Sequence, residues 1–301
     1  MPADQPTRRD RSEGAPPALP ELDRLAAAVS VMLDRMGVVA DRIDTRFART
    51  AARHAGLVAA ADAEGEASYL ELEWLAGEVA RRLAGRTDPG GVVALRLSPA
   101  RLAPAAALGV LRAGAACLPL ATEDQAARLL DRAGAQWVLT DRGLLADETP
   151  VAKAGPFVLA SRPAPDATWP GDTACLSPDA RTPLSHARVL DRLDAARSRL
   201  ATGPEDTWAL APSLLRHPWL PWAALLSGAR LTVADDPALL SGHRPTVLAC
   251  PAAFLGSLSD QRLPALRRIL RTGPAGSRAD TAAFAPHAEV LTEDALVGTA
   301  R

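Results

Sequence analysis

The sequence has very few of the side chains from which many active sites are built. Lys153 is its only lysine and Tyr69 its only tyrosine, so arginine supplies 33 of the 34 basic residues. The only cysteines, Cys117, Cys175 and Cys250, are far apart, and each lies among apolar residues. An odd number of cysteines argues against a disulfide framework, and no pair has the spacing of metal ligands. We therefore predict three buried thiols and no metal site.

The sequence also lacks an excess of charge of one sign and a long apolar run. Its 301 residues carry a net charge of −1 without a basic stripe, which gives no electrostatic reason to expect nucleic acid. No apolar run is long enough to cross a bilayer, and the polar, proline-rich residues 1–20 do not form a signal peptide. We predict a cytoplasmic protein without a nucleic acid or membrane partner, and a disordered tail over residues 1–20.

What the sequence does contain is a regular alternation of helical and strand patterns. Apolar residues at helical spacing predict a first helix over Glu21–Met36, whose apolar face can pack on the chain's own core or dock a partner. Helices then alternate with short strands, before and after a looser connector at residues 141–170 that contains one short strand. This pattern predicts an α/β fold of mostly parallel sheets flanked by helices, with subdomains at residues 21–170 and 171–301.

The segment Asp172–Leu200 is predicted to form a strand, a turn and a helix. Its first part, Thr173–Leu176, is apolar, residues 177–179 have turn chemistry, and helical spacing begins at Ser185. Nucleotide-binding enzymes place a phosphate loop at such a junction, with glycines that let backbone N–H groups approach and a lysine that meets the charge. This segment contains neither glycine nor lysine. The sequence therefore predicts a nucleotide-binding scaffold without its phosphate-binding residues.

Several short segments of the sequence match, in order, the motifs of one enzyme group. LRAGAACLPL at Leu111–Leu120 is similar to an LKAGxAYVPL motif and is the most specific match, and SYLEL at Ser68–Leu72 is similar to a first helix motif. ALLSGARLTV and LRRILRTG are similar to two later segments, and residues 291–293 stand where a YGPTE motif ends. Through these motifs the chain resembles the N-terminal core of the adenylation domains of nonribosomal peptide synthetases, in the acyl-adenylate-forming superfamily. The resemblance implies that core's fold, without the small C-terminal domain and its catalytic lysine.

The resemblance also identifies the segment that replaces the family's phosphate loop, TSGSTGxPKG. The corresponding residues are Ser177, Asp179 and Thr182 in the turn and Ser185 at the start of the next helix. They form a degenerate phosphate loop that lacks every glycine and the lysine of the motif. ATP loses its main electrostatic anchor when backbone N–H groups do not close around its phosphates. We therefore predict that the chain uses no nucleotide or other cofactor.

A second departure concerns the remnant of the substrate pocket, which comprises Leu215, Arg216, His217 and Trp219. In the family's FDxS motif an aspartate binds the α-amine of the substrate, and Leu215 stands at that position here. A leucine does not pair with an ammonium group, and the adjacent Arg216 repels one. The rings of Trp219 and Trp222, which flank Pro221, are predicted to fill the remnant pocket.

These losses predict that the chain adenylates nothing by itself and is not an enzyme. We expect a non-catalytic structural or recognition partner of a synthetase module, a carrier protein or a tailoring enzyme in natural-product biosynthesis, acting within a hetero-oligomer. Two alternatives stay open. One is a binding protein for an acyl or amino-acid ligand in the remnant pocket. The other is one half of a split adenylate-forming enzyme whose missing part is supplied in trans.

Overall fold

The computed structural model describes residues 41–98, 100–120, 126–233, 236–258, 260–273 and 285–297. The predicted disordered tail over residues 1–20 and the predicted helix at Glu21–Met36 lie outside these ranges. Within them, no helix combines the length and the apolarity that crossing a bilayer requires.

The described elements alternate along the chain as the sequence pattern predicted. The helices are α1 Ile43–Arg53, α2 Tyr69–Leu83, α3 Ala103–Arg112, α4 Ala126–Ala133, α5 His186–Leu200, α6 Leu220–Leu225, α7 Pro237–His243, α8 Ala252–Leu255 and α9 Glu293–Val297, with 3-10 turns at Pro212–Arg216 and Gly256–Leu258. The strands are β1 Val58–Asp62, β2 Gly65–Ser68, β3 Val92–Arg96, β4 Ala116–Pro119, β5 Trp137–Thr140, β6 Thr149–Ala154, β7 Phe157–Ser161, β8 Thr173–Leu176, β9 Pro183–Ser185, β10 Thr207–Leu210, β11 Arg230–Val233, β12 Val247–Pro251, β13 Arg268–Thr272 and β14 Glu289–Thr292.

The described strands form two seven-stranded sheets. The first has the order β14-β13-β12-β10-β11-β1-β2, and the second has the order β6-β7-β5-β3-β4-β8-β9. Pairing is parallel through the middle of both sheets and antiparallel only where β2, β6, β7 and β9 join. Parallel sheets need helices on both faces because their strands are buried on both sides. The predicted class, α/β with mostly parallel sheets flanked by helices, is confirmed.

The boundary suggested between residues 170 and 171 does not separate the two sheets. Strand β1, from the N-terminal part, pairs with β11, with Ala60 opposite Leu231. Strand β8, from the C-terminal part, pairs with β4, with Cys117 opposite Cys175. Each half of the chain therefore contributes strands to both sheets, because parallel pairing joins strands that are distant in sequence.

The connector at residues 141–170 contains two strands, not the single strand expected. Strands β6 and β7 form an antiparallel hairpin that adds an edge to the second sheet. Most of β6 is exposed, so its sequence lacks the apolar face by which a strand is recognised. The expectation was wrong here because an edge strand is stabilised by hydrogen bonds to its neighbour more than by burial.

One continuous cluster of buried side chains joins both sheets, from Ile43 in α1 to Leu296 in α9. The single tyrosine belongs to it. Its hydroxyl lies 3.0 Å from the carbonyl oxygen of Leu225 and 2.8 Å from that of Ala229, and burial raises the pKa of Tyr69 far above its ordinary value. Tyr69 therefore ties the start of α2 to the turn between α6 and β11.

Two helices begin at caps that the sequence indicates. Ser68 and Glu71 form a capping box at α2, with the Glu71 N–H donating to Ser68 Oγ at 3.2 Å and the Ser68 N–H donating to Glu71 Oε2 at 2.7 Å. Ser185 caps α5 by accepting the Arg188 N–H at 3.2 Å. His186 follows it and is buried, and its Nδ1 accepts the Ile43 N–H at 3.2 Å. This bond holds α1 against the start of α5.

We predict that the buried ion pair between Arg96 and Glu148 is the most sensitive charged contact in the second sheet. Both side chains are almost fully buried, and Glu148 also accepts the Leu145 N–H at 2.9 Å. Glu148→Ala should lower the free energy of unfolding by about 3 kcal/mol, because it leaves a buried guanidinium without its carboxylate. Urea denaturation measures this change.

The control is Glu64→Ala, which removes a carboxylate that is 83% exposed and pairs with Arg101. Exposed ion pairs contribute little, so this variant should stay within about 0.5 kcal/mol of the parent. Equal losses in the two variants would contradict the prediction.

Candidate functional site

A small cavity lies where strands of the second sheet meet the segment that follows β10. Its volume is about 70 Å³. The walls are mostly aliphatic and come from α3, the ends of β3 and β4, strand β8 and the start of α6; they include Leu95, Leu97, Ala103, Ala107, Leu111, Cys117, Ala174, Cys175, Leu215 and Trp222. A second, larger cavity of about 320 Å³ adjoins it and shares Pro119, Cys175, Arg216, His217 and Pro218 with the first.

The structure places three of the four predicted pocket residues at the cavity. Leu215, Arg216 and His217 line it, at the end of the 3-10 turn Pro212–Arg216 and just after it. Trp219 is fully buried and does not line either cavity; Trp222, one turn later, contributes to the wall of the smaller one. Of the two tryptophan rings expected to fill the pocket, Trp222 therefore reaches the cavity wall and Trp219 turns its indole into the core.

Trp219 turns inward because a carboxylate accepts its indole N–H. Glu293 Oε1 lies 3.1 Å from Trp219 Nε1 and 3.3 Å from His217 Nε2. The imidazole of His217 also meets the Trp219 ring edge-on, with centroids 5.6 Å apart. The hydrogen bond to His217 lowers the pKa of Glu293, against the opposing effect of burial. Glu293 thus anchors the segment after the 3-10 turn to the start of α9.

The degenerate phosphate loop is closed by its own side chains. The Ser177 hydroxyl donates to Asp179 Oδ1 at 2.6 Å, and the Thr182 N–H donates to Ser177 Oγ at 2.9 Å. The Arg181 N–H lies 3.2 Å from Asp179 Oδ1 and 3.3 Å from Ser177 Oγ. Backbone bonds between Ser177 and Thr182 complete a hairpin turn, in which Ala180 has a φ of 55°. The N–H groups of Ala180, Arg181 and Thr182 are therefore already bound.

In this turn the Asp179 carboxylate occupies the space in front of the backbone N–H groups, which an anion-binding loop leaves free for its ligand. The hydroxyl of Ser177, together with the Arg181 N–H, lowers the pKa of Asp179, so the side chain is ionised at neutral pH. Arg132 donates to the Asp179 carbonyl oxygen at 2.8 Å and holds the turn against α4. Of the four predicted loop residues, Ser177, Asp179 and Thr182 come together, and Ser185 instead caps α5.

The described residues include no group of three or more histidine, cysteine or acidic side chains that could hold a metal ion. The three cysteines are buried, as predicted. Burial raises the pKa of Cys175 and Cys250 to about 12 and that of Cys117 well above its ordinary value, so none is a reactive thiolate at neutral pH.

Sequence reasoning did not find the role of Cys117 and Cys175 as neighbouring wall residues, or the role of Glu293 as an anchor. The two cysteines are neighbours because β4 and β8 are paired. A local sequence pattern does not predict a pairing between strands that are so distant in sequence. The sequence did point to Glu293, because this residue stands at the end of the YGPTE-like match. It did not identify the partners of Glu293, which come from another part of the chain.

The anchor at Glu293 predicts a pH dependence of stability. The folded-state pKa of this carboxyl lies below its unfolded-state value, so its contribution is present at neutral pH and is lost as the pH falls through the acid range. Glu293→Gln should therefore lower the free energy of unfolding at neutral pH, and the difference from the parent should shrink on acidification. Urea denaturation at several pH values measures both.

The control is Glu289→Gln, at an exposed strand position. If the free energy of unfolding of the parent and of Glu293→Gln changed in parallel with pH, the prediction would be contradicted.

No protein-family model matches the chain, and no curated protein matches it significantly. Its structure does resemble solved structures. A nonribosomal peptide synthetase, FmoA3, aligns with a TM-score of 0.70 and 23% identity over 90% of this chain, which spans only 33% of FmoA3. VinN in complex with L-aspartate aligns with a TM-score of 0.64 and 20% identity, over 83% of this chain and 74% of VinN.

A third similar structure is the N-terminal subdomain of Klebsiella oxytoca NpsA in complex with 3-hydroxybenzoyl-AMSN. It aligns with a TM-score of 0.63 and 16% identity, over 84% of this chain and 72% of that one. NpsA also supplies the adenylation part of an artificially fused adenylation–PCP di-domain. Likeness at this level of identity concerns the fold. The chain therefore has the fold of the N-terminal core of a nonribosomal peptide synthetase adenylation domain, as its motifs predicted.

Proposed function

We propose that this chain is a non-catalytic, adenylation-domain-like protein that serves as a structural or recognition partner in natural-product biosynthesis. Its partner is a synthetase module, a carrier protein or a tailoring enzyme. The chain neither binds ATP productively nor adenylates a substrate by itself. The closed turn between β8 and β9 carries this proposal.

The turn supports the proposal through both geometry and charge. A phosphate-binding loop needs several backbone N–H groups that point at one empty space. In the turn at 177–182, the Arg181 and Thr182 N–H groups donate to Ser177 and Asp179 side chains instead. A phosphate would have to displace the Asp179 carboxylate from these donors and would meet its negative charge. ATP therefore loses the cradle of free backbone N–H groups.

The substrate side supports the same conclusion. Leu215 presents an aliphatic side chain to the cavity, and Arg216 beside it is cationic. Neither group stabilises the ammonium of an amino acid, and the guanidinium repels it. An amino acid therefore finds no anchor for its amine at this position.

The rest of the fold is kept intact, which favours a role that depends on shape. The core runs without interruption through both sheets, and the caps of α2 and α5 are in place. A chain that had lost all use would not be expected to keep these contacts together. The similar FmoA3 is a nonribosomal peptide synthetase, and NpsA has been fused to a PCP, so both relatives point to such assemblies as the source of a partner.

We predict that the purified chain shows no ATP–pyrophosphate exchange with any proteinogenic amino acid or short-chain acid. We also expect that Mg²⁺-ATP at saturating concentration does not raise its melting temperature, since a ligand that does not bind the folded state does not stabilise it. Differential scanning fluorimetry and radiolabelled exchange measure the two quantities. Exchange above the enzyme-free blank would contradict the absence of catalysis, and a clear thermal shift would contradict the closed turn.

We further predict that the tagged chain, isolated from its native host, carries one synthetase, carrier protein or tailoring enzyme at a fixed stoichiometry. Trp74 on α2 is 62% exposed and is the most exposed large apolar side chain in the described part of the chain, and exposed tryptophans often dominate protein interfaces. Trp74→Ala should therefore reduce the partner's recovery severalfold, and Leu144→Ala, at another exposed apolar position, should not. Native mass spectrometry gives the ratio. A chain that is recovered alone, as a monomer, would contradict the partner role.

A further inference from the structure

The outer face of α2 carries an apolar patch that the described chain leaves uncovered. Trp74 is 62% exposed, and Leu57, just before β1, is 44% exposed. Leu70 is half-buried and lies one helical turn before Trp74, so these two side chains share a face of the helix. The Leu57 carbonyl oxygen accepts the Tyr69 N–H at 3.0 Å, which sets Leu57 beside the first turn of α2. We call Leu57, Leu70 and Trp74 the α2 patch. Exposed apolar side chains that lie together mark interaction surfaces.

Gly77 stands on the same face, in the middle of α2. A glycine inside a helix is less favourable than an alanine, so its presence needs a reason. The described chain supplies none, because a Cβ at this position would meet only the guanidinium ends of Arg81 at 3.7 Å and Arg112 at 3.8 Å, an ordinary contact distance. Gly109 in α3 is different, since a Cβ there would lie 2.4 Å from Val79. Gly77 therefore leaves a notch on the outside of α2, where a second backbone can approach closely.

The charges of α2 are divided along its length. Glu71 and Glu73 lie in its first half, where Glu71 belongs to the capping box and Glu73 pairs with an arginine of α3. At its end, Arg81 and Arg82 share the single carboxylate of Glu78, although they are 63% and 51% exposed. Two exposed guanidinium groups with one carboxylate between them can accept a second carboxylate from outside.

This division of charge sets the direction of a helix that packs on α2. The N-terminal end of a helix has a positive dipole end and commonly carries acidic side chains, whereas the C-terminal end has a negative dipole end. An antiparallel helix therefore brings its acids to Arg81 and Arg82 and pairs opposite dipole ends. A parallel helix would bring its acids to Glu71 and Glu73 instead.

We propose that this face of α2 is the docking surface for one amphipathic helix of the partner protein. The helix runs antiparallel to α2 and crosses it at Gly77. Its acidic N-terminal half binds Arg81 and Arg82, and its apolar C-terminal half covers the α2 patch. This inference rests on the partner role proposed above and adds the surface that is used and the chemistry of the segment that it binds.

The first test fills the notch. Gly77→Leu places a side chain where the partner helix crosses, and the free chain should be at least as stable in urea as the parent, because leucine favours helix and the space is open. Recovery of the partner from the native host, measured by native mass spectrometry, should nevertheless fall at least about fivefold. The matched control is Gly242→Leu in α7, where a Cβ would also meet no atom within 4 Å; its recovery should equal that of the parent.

The second test reverses the charge at the end of α2. The double variant Arg81→Glu and Arg82→Glu should reduce recovery at least about tenfold, because it sets like charges against the acidic half of the helix. The control is the double variant Arg188→Glu and Arg197→Glu, at two exposed positions of α5. This control should leave recovery unchanged. Circular dichroism confirms that each variant is folded.

The third test identifies the bound segment by photocrosslinking the full chain with Trp74→p-benzoylphenylalanine. The crosslinked peptide of the partner should be an amphipathic helical sequence whose acidic residues lie on the N-terminal side of the crosslinked position. Acidic residues on the C-terminal side would contradict the antiparallel direction. A crosslink to a second copy of this chain would overturn the proposal in favour of a homodimer.

The outcomes separate this proposal from the partner role. Equal recovery by the parent, Gly77→Leu and the double variant at Arg81 and Arg82 would overturn the docking surface and leave the partner role standing. A parent chain that is recovered alone would overturn both.

Discussion

Parallel pairing between distant strands is the constraint on which the rest of this structure depends. Strand β1 reaches the first sheet through β11, and β8 reaches the second sheet through β4. Each pairing brings a strand from one half of the chain into a sheet built mainly by the other half. The shared core between them buries Tyr69, Phe47 and Trp208 completely. The cavity at Arg216 exists because these pairings set β4 and β8 side by side opposite the turn that follows β10.

The turn at 177–182 and the side chain of Arg216 carry opposite charges. The turn at 177–182 carries its own anion, since the Asp179 carboxylate meets the N–H groups that a phosphate would use. Arg216 carries a cation that the described chain leaves uncompensated. The two neighbouring segments therefore differ in how their charges are satisfied within the described chain.

Much of the local structure could be predicted because it depends on residues that are close in sequence. The capping box of Ser68 and Glu71, the cap at Ser185 and the alternation of helices and strands are all local patterns. The motif at Leu111–Leu120 pointed to the correct fold for the same reason. Strand β6 was missed because an exposed edge strand has no buried face to reveal it.

The candidate site was less predictable than the fold. Leu215, Arg216 and His217 were placed at the cavity by alignment with a motif, and the structure brings them there. Trp219 was placed there too, but the Glu293 carboxylate draws its indole into the core. The direction of a side chain depends on a partner that is distant in sequence, and a motif alone does not name that partner.

The sequence by itself therefore determined the class of fold, the starts of α2 and α5 and the absence of glycine and lysine from the phosphate loop, because these follow from residue type and short-range spacing. Only the tertiary structure decided that Asp179 binds the N–H groups of its own turn, that Trp219 points away from the cavity and that Arg216 stands unpaired among the described residues. Each of these depends on which groups meet in space, and burial and hydrogen bonding between distant segments settle that.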